Sequence, residues 1–333
     1  MAGVSLAEQI VTVEDFAAMF CVSISFTREA LGNDLPDLRY RRLGSLERDV
    51  VLFKALQQLE DDTLRPVTGQ DRDRWETGWN EILERVNREG VSVDTLRPQY
   101  YKHDILRYFG DYIRVLRSPN FASEMGWLIL RMAWRLRLAG APRLLEIGCG
   151  TGVNLFRLGK LDRTVELVGC DWAAASQELL GRIARDTGLR LRGLPFNMLT
   201  LEGGADLPID GDTAVFTVHA LEQLGPDIEG IITFLLEAGP RICVHIEPIV
   251  EFYRPWDLLD ELAVRYHRRR NYLTGLIPLL ERFQTEGRLK IVDARRIRFG
   301  TTFHETFSVV VWRPLPVLPT PRLFAAREES RGQ

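Results

Sequence analysis

Hydrophobic and polar positions change rhythm about two-fifths of the way along this chain. Before that point, apolar residues recur at helical spacing. Segment 45–60 (SLERDVVLFKALQQLE) opens on Ser45, and segment 71–89 (DRDRWETGWNEILERVNRE) starts at a capping Asp71 and stops at Gly90. Segment 123–139 runs from Ser123 to a stop at Gly140. The aromatic stretch 100–117, with Tyr100, Tyr101, Tyr108, Phe109 and Tyr112, is read into the same helical region. Residues 1–140 are therefore expected to form a helical N-terminal domain.

From Arg143 onward, short apolar runs alternate with helical stretches. RLLEIG precedes VNLFRLGKL, VELVGCD precedes a helix ending at Gly188, and LRGLPFN follows. TAVFTVHA and RICVHIEP flank another helix, and 255–286 reads as one long helical stretch. LKIVDARRIRF and ETFSVVVW close the pattern with no helix between them, so they should pair as an antiparallel hairpin. The alternation predicts an α/β fold with a doubly wound parallel sheet over 141–316. Residues 317–333, rich in Pro and charge, are expected to be a loose tail.

Composition narrows the function. With 43 Lys+Arg against 46 Asp+Glu, the formal net charge is -3, which speaks against a general nucleic-acid binder. Only Lys54, Lys102, Lys160 and Lys290 are lysine; the arginine excess reads as codon bias. No run of 18 or more apolar residues predicts a membrane span. The four cysteines lack metal-ligand spacing and read as buried, reduced residues of a cytoplasmic protein, and the N-terminus lacks the basic start of a secretory signal.

The strongest motif is Glu146-Ile-Gly148-Cys-Gly150-Thr-Gly152, between the first strand and the following helix. Glycines there let the backbone turn tightly and approach a ligand. A dinucleotide fingerprint needs a glycine three positions after the second, which here is Val153, and the GK[ST] ending of a P-loop is absent. A second acid, Asp171, ends the next strand.

On these residues the chain resembles the class I S-adenosylmethionine-dependent methyltransferases, whose motif is acid-x-Gly-x-Gly-x-Gly. The resemblance covers residues 143–313. It implies a Rossmann-like seven-stranded sheet of order 3-2-1-4-5-7-6, and S-adenosyl-L-methionine as cofactor with S-adenosyl-L-homocysteine as product. Glu146 then meets the cofactor's cationic amino group and Asp171 its ribose hydroxyls. Trp172 would stack on adenine. Asn197 and Met198 follow strand three, where an Asp is commoner in the family. His219 would lie beside the methyl group.

Residues leaving strands four and five should face the acceptor: His219, Glu222, His245 and Glu247, with His304 and Glu305 from the closing hairpin. No metal is expected. Glu222 and Glu247 are candidates to hold a guanidinium, since two carboxylates match its fork of donors. The layout is similar to that of free-arginine N-methyltransferases of streptozotocin biosynthesis, which implies N-methylation of free arginine. A free amino acid also needs its carboxylate bound; Arg269, in the run 267–272, is the candidate. Tyr100, Tyr101 and Tyr112 are candidates to close over the site. Two alternatives stay open: an O-methyltransferase of a sugar or natural product with His219 or His245 as general base, and a cofactor-binding regulatory protein without catalysis. A small-molecule substrate and a homodimer are expected.

Overall fold

The computed structural model describes residues 7–32, 35–61, 64–68, 72–98 and 102–316. The expectations placed on Asp71, Tyr100, Tyr101 and the tail 317–333 lie outside these residues. The first part of the chain runs β1 (Gln9–Ile10), α1 (Val13–Phe20), α2 (Ile24–Leu31), β2 (Arg39–Arg42), α3 (Ser45–Glu60), α4 (Arg72–Glu89) and α5 (Val93–Leu96). It continues through β3 (Ile105–Tyr108), β4 (Asp111–Val115) and α6 (Phe121–Ala133). The second part is β5 (Arg143–Ile147), α7 (Val153–Leu161), β6 (Glu166–Asp171), α8 (Ala174–Thr187), β7 (Leu191–Pro195), β8 (Thr213–Val218) and α9 (Glu229–Ala238). It ends with β9 (Ile242–Glu247), α10 (Leu258–Arg270), α11 (Leu276–Thr285), β10 (Leu289–Arg295), β11 (Phe299–Gly300) and β12 (Ser308–Pro314).

The large sheet has the order β10-β12-β9-β8-β5-β6-β7. Counted from β5 as strand one, this is 3-2-1-4-5-7-6, the Rossmann-like order expected from the sequence. Strands β5 to β9 run parallel. The last strand, β12, lies between β9 and β10 and is antiparallel to both. The inner strands are apolar on both faces because helices cover both, as a parallel sheet requires. All parallel strands therefore end on one rim.

The first part of the chain is less helical than its pattern suggests. Strands β1, β2, β4 and β3 form an antiparallel sheet, and β11, from the far end of the chain, adds the fifth strand. Segment 105–115 is thus a hairpin. Tyr108 pairs with Asp111 across a two-residue turn, Phe109-Gly110, whose φ angles are 50° and 81°. Two positive φ values match the right-handed twist of paired strands. The region 255–286 breaks into two helices at Asn271, which caps α10 in the left-handed conformation with φ 51°. Cys149, Cys170 and Cys243 are buried as expected, but Cys21 is exposed at the end of α1. Among the described residues no helix is long and apolar enough to cross a membrane.

The two parts share one core. Phe16, Val86 and Ile113 belong to the same buried cluster as Leu144, Phe216 and Val309. Helix α4 packs on α8, and its Glu76 caps the N-terminus of that helix. The Glu76 carboxylate accepts from the backbone N–H of Ala174 at 2.8 Å and of Ala175 at 3.1 Å. This fixes α4 beside the sheet rim, over the glycine loop.

Candidate active site

A cavity of about 1340 Å³, counting its open mouth, lies at the carboxyl ends of β5, β6 and β8. Its floor is the glycine loop. Gly148 has φ +70°, and a Cβ there would stand 2.5 Å from the Ala220 Cβ. Gly150 has φ +50°, and a Cβ there would stand 2.9 Å from the Trp79 ring. Both positions need glycine for conformation and for space. Gly152 starts α7 and packs on Leu180 beneath the loop, so it shapes the turn without lining the cavity.

Glu146 is 1% exposed and lines the cavity. Its Oε1 accepts from Asn154 Nδ2 at 2.7 Å; its Oε2 has no partner among the described residues. Burial pushes its carboxyl up to about 8. A buried carboxylate oxygen without a donor fits a cationic ligand group. Asp171 also lines the cavity, with Oδ2 accepting from Gly150 N–H at 2.9 Å and Oδ1 from Ala173 N–H at 3.0 Å. It therefore anchors the glycine loop as well as facing the cavity. Burial raises its pKa against those backbone hydrogen bonds.

Trp172, Asn197 and Met198 line the same end. Asn197 Oδ1 accepts from Leu199 N–H at 2.9 Å, which fixes the turn after β7. At the other end sits His219, just beyond β8, with φ 55°. A non-glycine residue in the left-handed region signals a held conformation. Its ring stands edge-on to Phe307 at 4.6 Å, and its Nδ1 lies 3.4 Å from Glu222 Oε2. Burial pulls the His219 pKa down, but the Glu222 carboxylate outweighs this, and the net shift is upward.

The remaining candidates go elsewhere. Glu247 is completely buried and does not reach the cavity. Its Oε1 accepts from the N–H groups of Ala220 and Leu221 at 3.0 and 3.1 Å, and its Oε2 accepts from Glu222 N–H at 3.3 Å. It caps the short 3-10 helix Leu221–Leu224 and so cannot form a carboxylate pair with Glu222 around a guanidinium. His245 is a sheet residue: Nδ1 lies 3.1 Å from Thr217 Oγ1, and Nε2 accepts from Trp312 Nε1–H at 2.9 Å. Burial holds its pKa down to about 3, so it is a neutral packing group and no base for an acceptor. His304 is buried against His267, and Glu305 pairs with Arg296. Arg269 hydrogen-bonds the Asp61 carbonyl at 3.2 Å, away from the cavity. Tyr112 donates to the Thr302 carbonyl at 2.7 Å and is core.

Several lining residues escape sequence reasoning. Trp75 and Trp79 of α4 stack on one another at 5.4 Å and roof the glycine loop. Their i, i+4 spacing on a charged helix is the one signal that could have found them. Trp127 and Arg157 come from α6 and α7. The Arg157 guanidinium lies 4.4 Å over the Trp127 ring and bonds Glu124 at 2.7 Å, while Glu124 also holds Arg97 at 2.6 Å. No local pattern links those residues. Among the described residues no three His, Cys, Asp or Glu side chains gather as metal ligands.

No family model matches the chain. It is 31% identical over 117 residues to an uncharacterized protein of Synechococcus, syc1184_c; the match spans 34% of this chain and only 27% of that protein. Among solved structures, it is similar to the cyclase SpnF, with TM-score 0.49 and 17% identity over 76% of this chain and 98% of that one. It is also similar to magnesium protoporphyrin IX methyltransferase of Synechocystis with bound SAH, with TM-score 0.42 and 12% identity over 57% of this chain and 84% of that one. A third is geranyl diphosphate methyltransferase in complex with GPP and sinefungin, with TM-score 0.41 and 14% identity over 59% of this chain and 78% of that one. The functional reading rests on the site itself.

Proposed function

We propose that the chain is an S-adenosylmethionine-dependent methyltransferase of a small-molecule acceptor, with His219 and Glu222 as its proton-collecting pair. The observation that carries this reading is the single cavity that gathers Glu146, the glycine loop, Asp171 and His219. The residues fit the cofactor. Glu146 Oε2 would take the ammonium, Asp171 the ribose hydroxyls, and Trp172, Asn197 and Met198 the adenine end. Arg157, which hydrogen-bonds protein only through Nη2 among the described residues, would take the carboxylate. S-adenosylmethionine, when bound, supplies an electrophilic methyl group. The work of the protein is to orient, to exclude water, and to take up one proton. The Trp75–Trp79 roof and Phe307 exclude water. His219 takes the proton from the nucleophile, and Glu222 holds the imidazole and stabilises the imidazolium.

A carboxylate–histidine pair suits a hydroxyl acceptor, which needs a base. Methylation of free arginine is the poorer fit, because Glu222 is occupied by His219 and by Gln223 Nε2 at 3.0 Å, and Glu247 is tied to backbone. The test incubates the purified protein with the cofactor and sugars, phenols, amines and free arginine, and looks for a one-methyl mass gain. Gain on hydroxyl compounds is expected. Gain on arginine alone would replace the hydroxyl reading. Tight S-adenosylhomocysteine binding with no product from any acceptor would make the chain a non-catalytic binding protein.

The pair also sets a pH profile. The base works when neutral, so activity should appear as pH rises through the His219 pKa, above the ordinary value of about 6.5. Glu222→Gln removes the charge that raises it. The acid limb should then move to lower pH, with kcat down about tenfold because the imidazolium loses its partner. An unmoved limb in that variant would remove His219 as the base.

A further inference from the structure

Helix α3 buries one face and leaves the opposite face apolar as well. Leu52 and Ala55 are buried in one cluster with Tyr112, Leu259 and Leu262. Leu46, Val50 and Phe53 lie on the far side of the helix. Leu46 is 78% exposed and Phe53 61%, and Val50 between them is exposed too. Their spacing of four and three residues makes a continuous stripe, the seam of a heptad with Leu46 and Phe53 at d and Val50 at a. Single exposed apolar side chains are ordinary, but an aligned row of them marks a contact surface.

The charges beside the stripe point to what covers it. Asp49 and Lys54 are both exposed and lie on opposite flanks of the stripe. In heptad terms they are g and the following e, the positions that pair between parallel helices. Other charges of the helix are engaged within the chain: Arg41 holds Glu47, and Asp111 holds Arg48. Asp49 and Lys54 make no ion pair among the described residues. When α3 lies parallel to a copy of itself across a two-fold axis, each Asp49 meets the partner's Lys54. An antiparallel copy would set the Asp49 flank against itself. A membrane surface fits less well, because helices that lie on membranes carry an excess of Lys and Arg, whereas α3 has Glu47, Asp49 and Glu60 against Arg48 and Lys54.

The stripe alone is smaller than the ~800 Å² per partner of a standard interface. Helix α10 packs alongside α3 and runs in the same direction, since Leu259 and Leu262 share the cluster of Leu52 and Ala55 while Arg269 reaches the Asp61 carbonyl. The chain enters α10 through Trp256, 81% exposed, and Leu258, also exposed. Phe53 and Trp256 together leave roughly 300 Å² of aromatic surface open. We propose that this face docks on the same face of a second copy of the chain, with the two α3 helices parallel. Leu46, Val50 and Phe53 form the seam, and Asp49–Lys54 ion pairs close it on both sides. The proposal is independent of the methyltransferase reading.

Sedimentation equilibrium of the full chain tests it. The wild type should show a monomer–dimer equilibrium at micromolar concentration, and Phe53→Glu should weaken association by about tenfold or more. Asp49→Lys and Lys54→Asp should each weaken it by about threefold to tenfold, because like charges then face one another at both symmetry-related places. Mixing these two variants should restore association, since each supplies the charge the other lacks. A monomeric wild type overturns the proposal, whether or not it binds phosphatidylglycerol vesicles. So does a dimer that Phe53→Glu leaves intact, and so does a mixture that associates no better than either charge variant alone. Should Phe53→Glu misfold, the mixture of charge variants still decides.

Discussion

Replacing Glu247 with alanine is expected to lower the unfolding free energy by about 3–5 kcal/mol, measured by urea denaturation of the cofactor-free protein. The carboxylate is wholly buried and accepts from three consecutive backbone amides, those of Ala220, Leu221 and Glu222. Truncation orphans all three, at about 1–3 kcal/mol each before the loop relaxes. Glu247→Gln keeps one carbonyl oxygen for two of these amides and turns an NH2 toward the third, so it should cost about 1–2 kcal/mol. The segment they hold carries His219 and Glu222, so both variants should also lose activity through the loop. A residue kept for acceptor binding would behave differently: the alanine variant would be as stable as the wild type and merely inactive. That outcome would sink the structural assignment.

Glu247 also marks the limit of what the chain alone reveals. The strand–helix alternation after Arg143 is written in the residues, and so is the acid–glycine loop, because both are local patterns with few other solutions. The sequence also places Glu222 and Glu247 at the ends of neighbouring strands. That Glu247 turns into the 3-10 helix at Leu221–Leu224 instead of toward the cavity depends on where β9 stops relative to that helix, a contact across 25 residues. The same holds for His245, whose ring lies between Thr217 and Trp312 on different strands. The hairpin at 105–115 was hidden for a local reason. Its turn needs two positive φ values, for which Asn-Gly or Asp-Gly is the usual signal, and here the pair is Phe109-Gly110. The roof of Trp75 and Trp79 stayed hidden because a helix face turned toward a cavity has the same periodicity as one turned toward a core.

Glu146→Gln should weaken cofactor binding about 100-fold and, unusually for a buried polar residue, stabilise the empty protein at alkaline pH. Both effects come from one group. Burial raises its pKa from 4.5 to about 8 in the folded, unliganded chain. The folded state therefore holds this proton more tightly than the unfolded one. Ionising Glu146 costs stability progressively as pH rises from about 4.5 to about 8, and the cost is complete above that. Glu247, raised to about 7, adds the same sign over a narrower window. Glutamine cannot ionise, so the variant should be more stable than the wild type at pH 9 and similar at pH 4. The cofactor should reverse the balance, because the ammonium proposed for Oε2 would favour the charged carboxylate. Affinity for S-adenosylhomocysteine should rise between pH 6 and pH 8 in the wild type, and that rise should vanish in Glu146→Gln. Calorimetry across this range measures it. A flat profile in the wild type would mean that Glu146 is not the partner of the cofactor's amino group, and that the unpaired Oε2 answers some other donor. On the proposed reading the destabilising position of this carboxylate serves binding: a charge the empty fold tolerates poorly is the one a cationic ligand gains most by meeting.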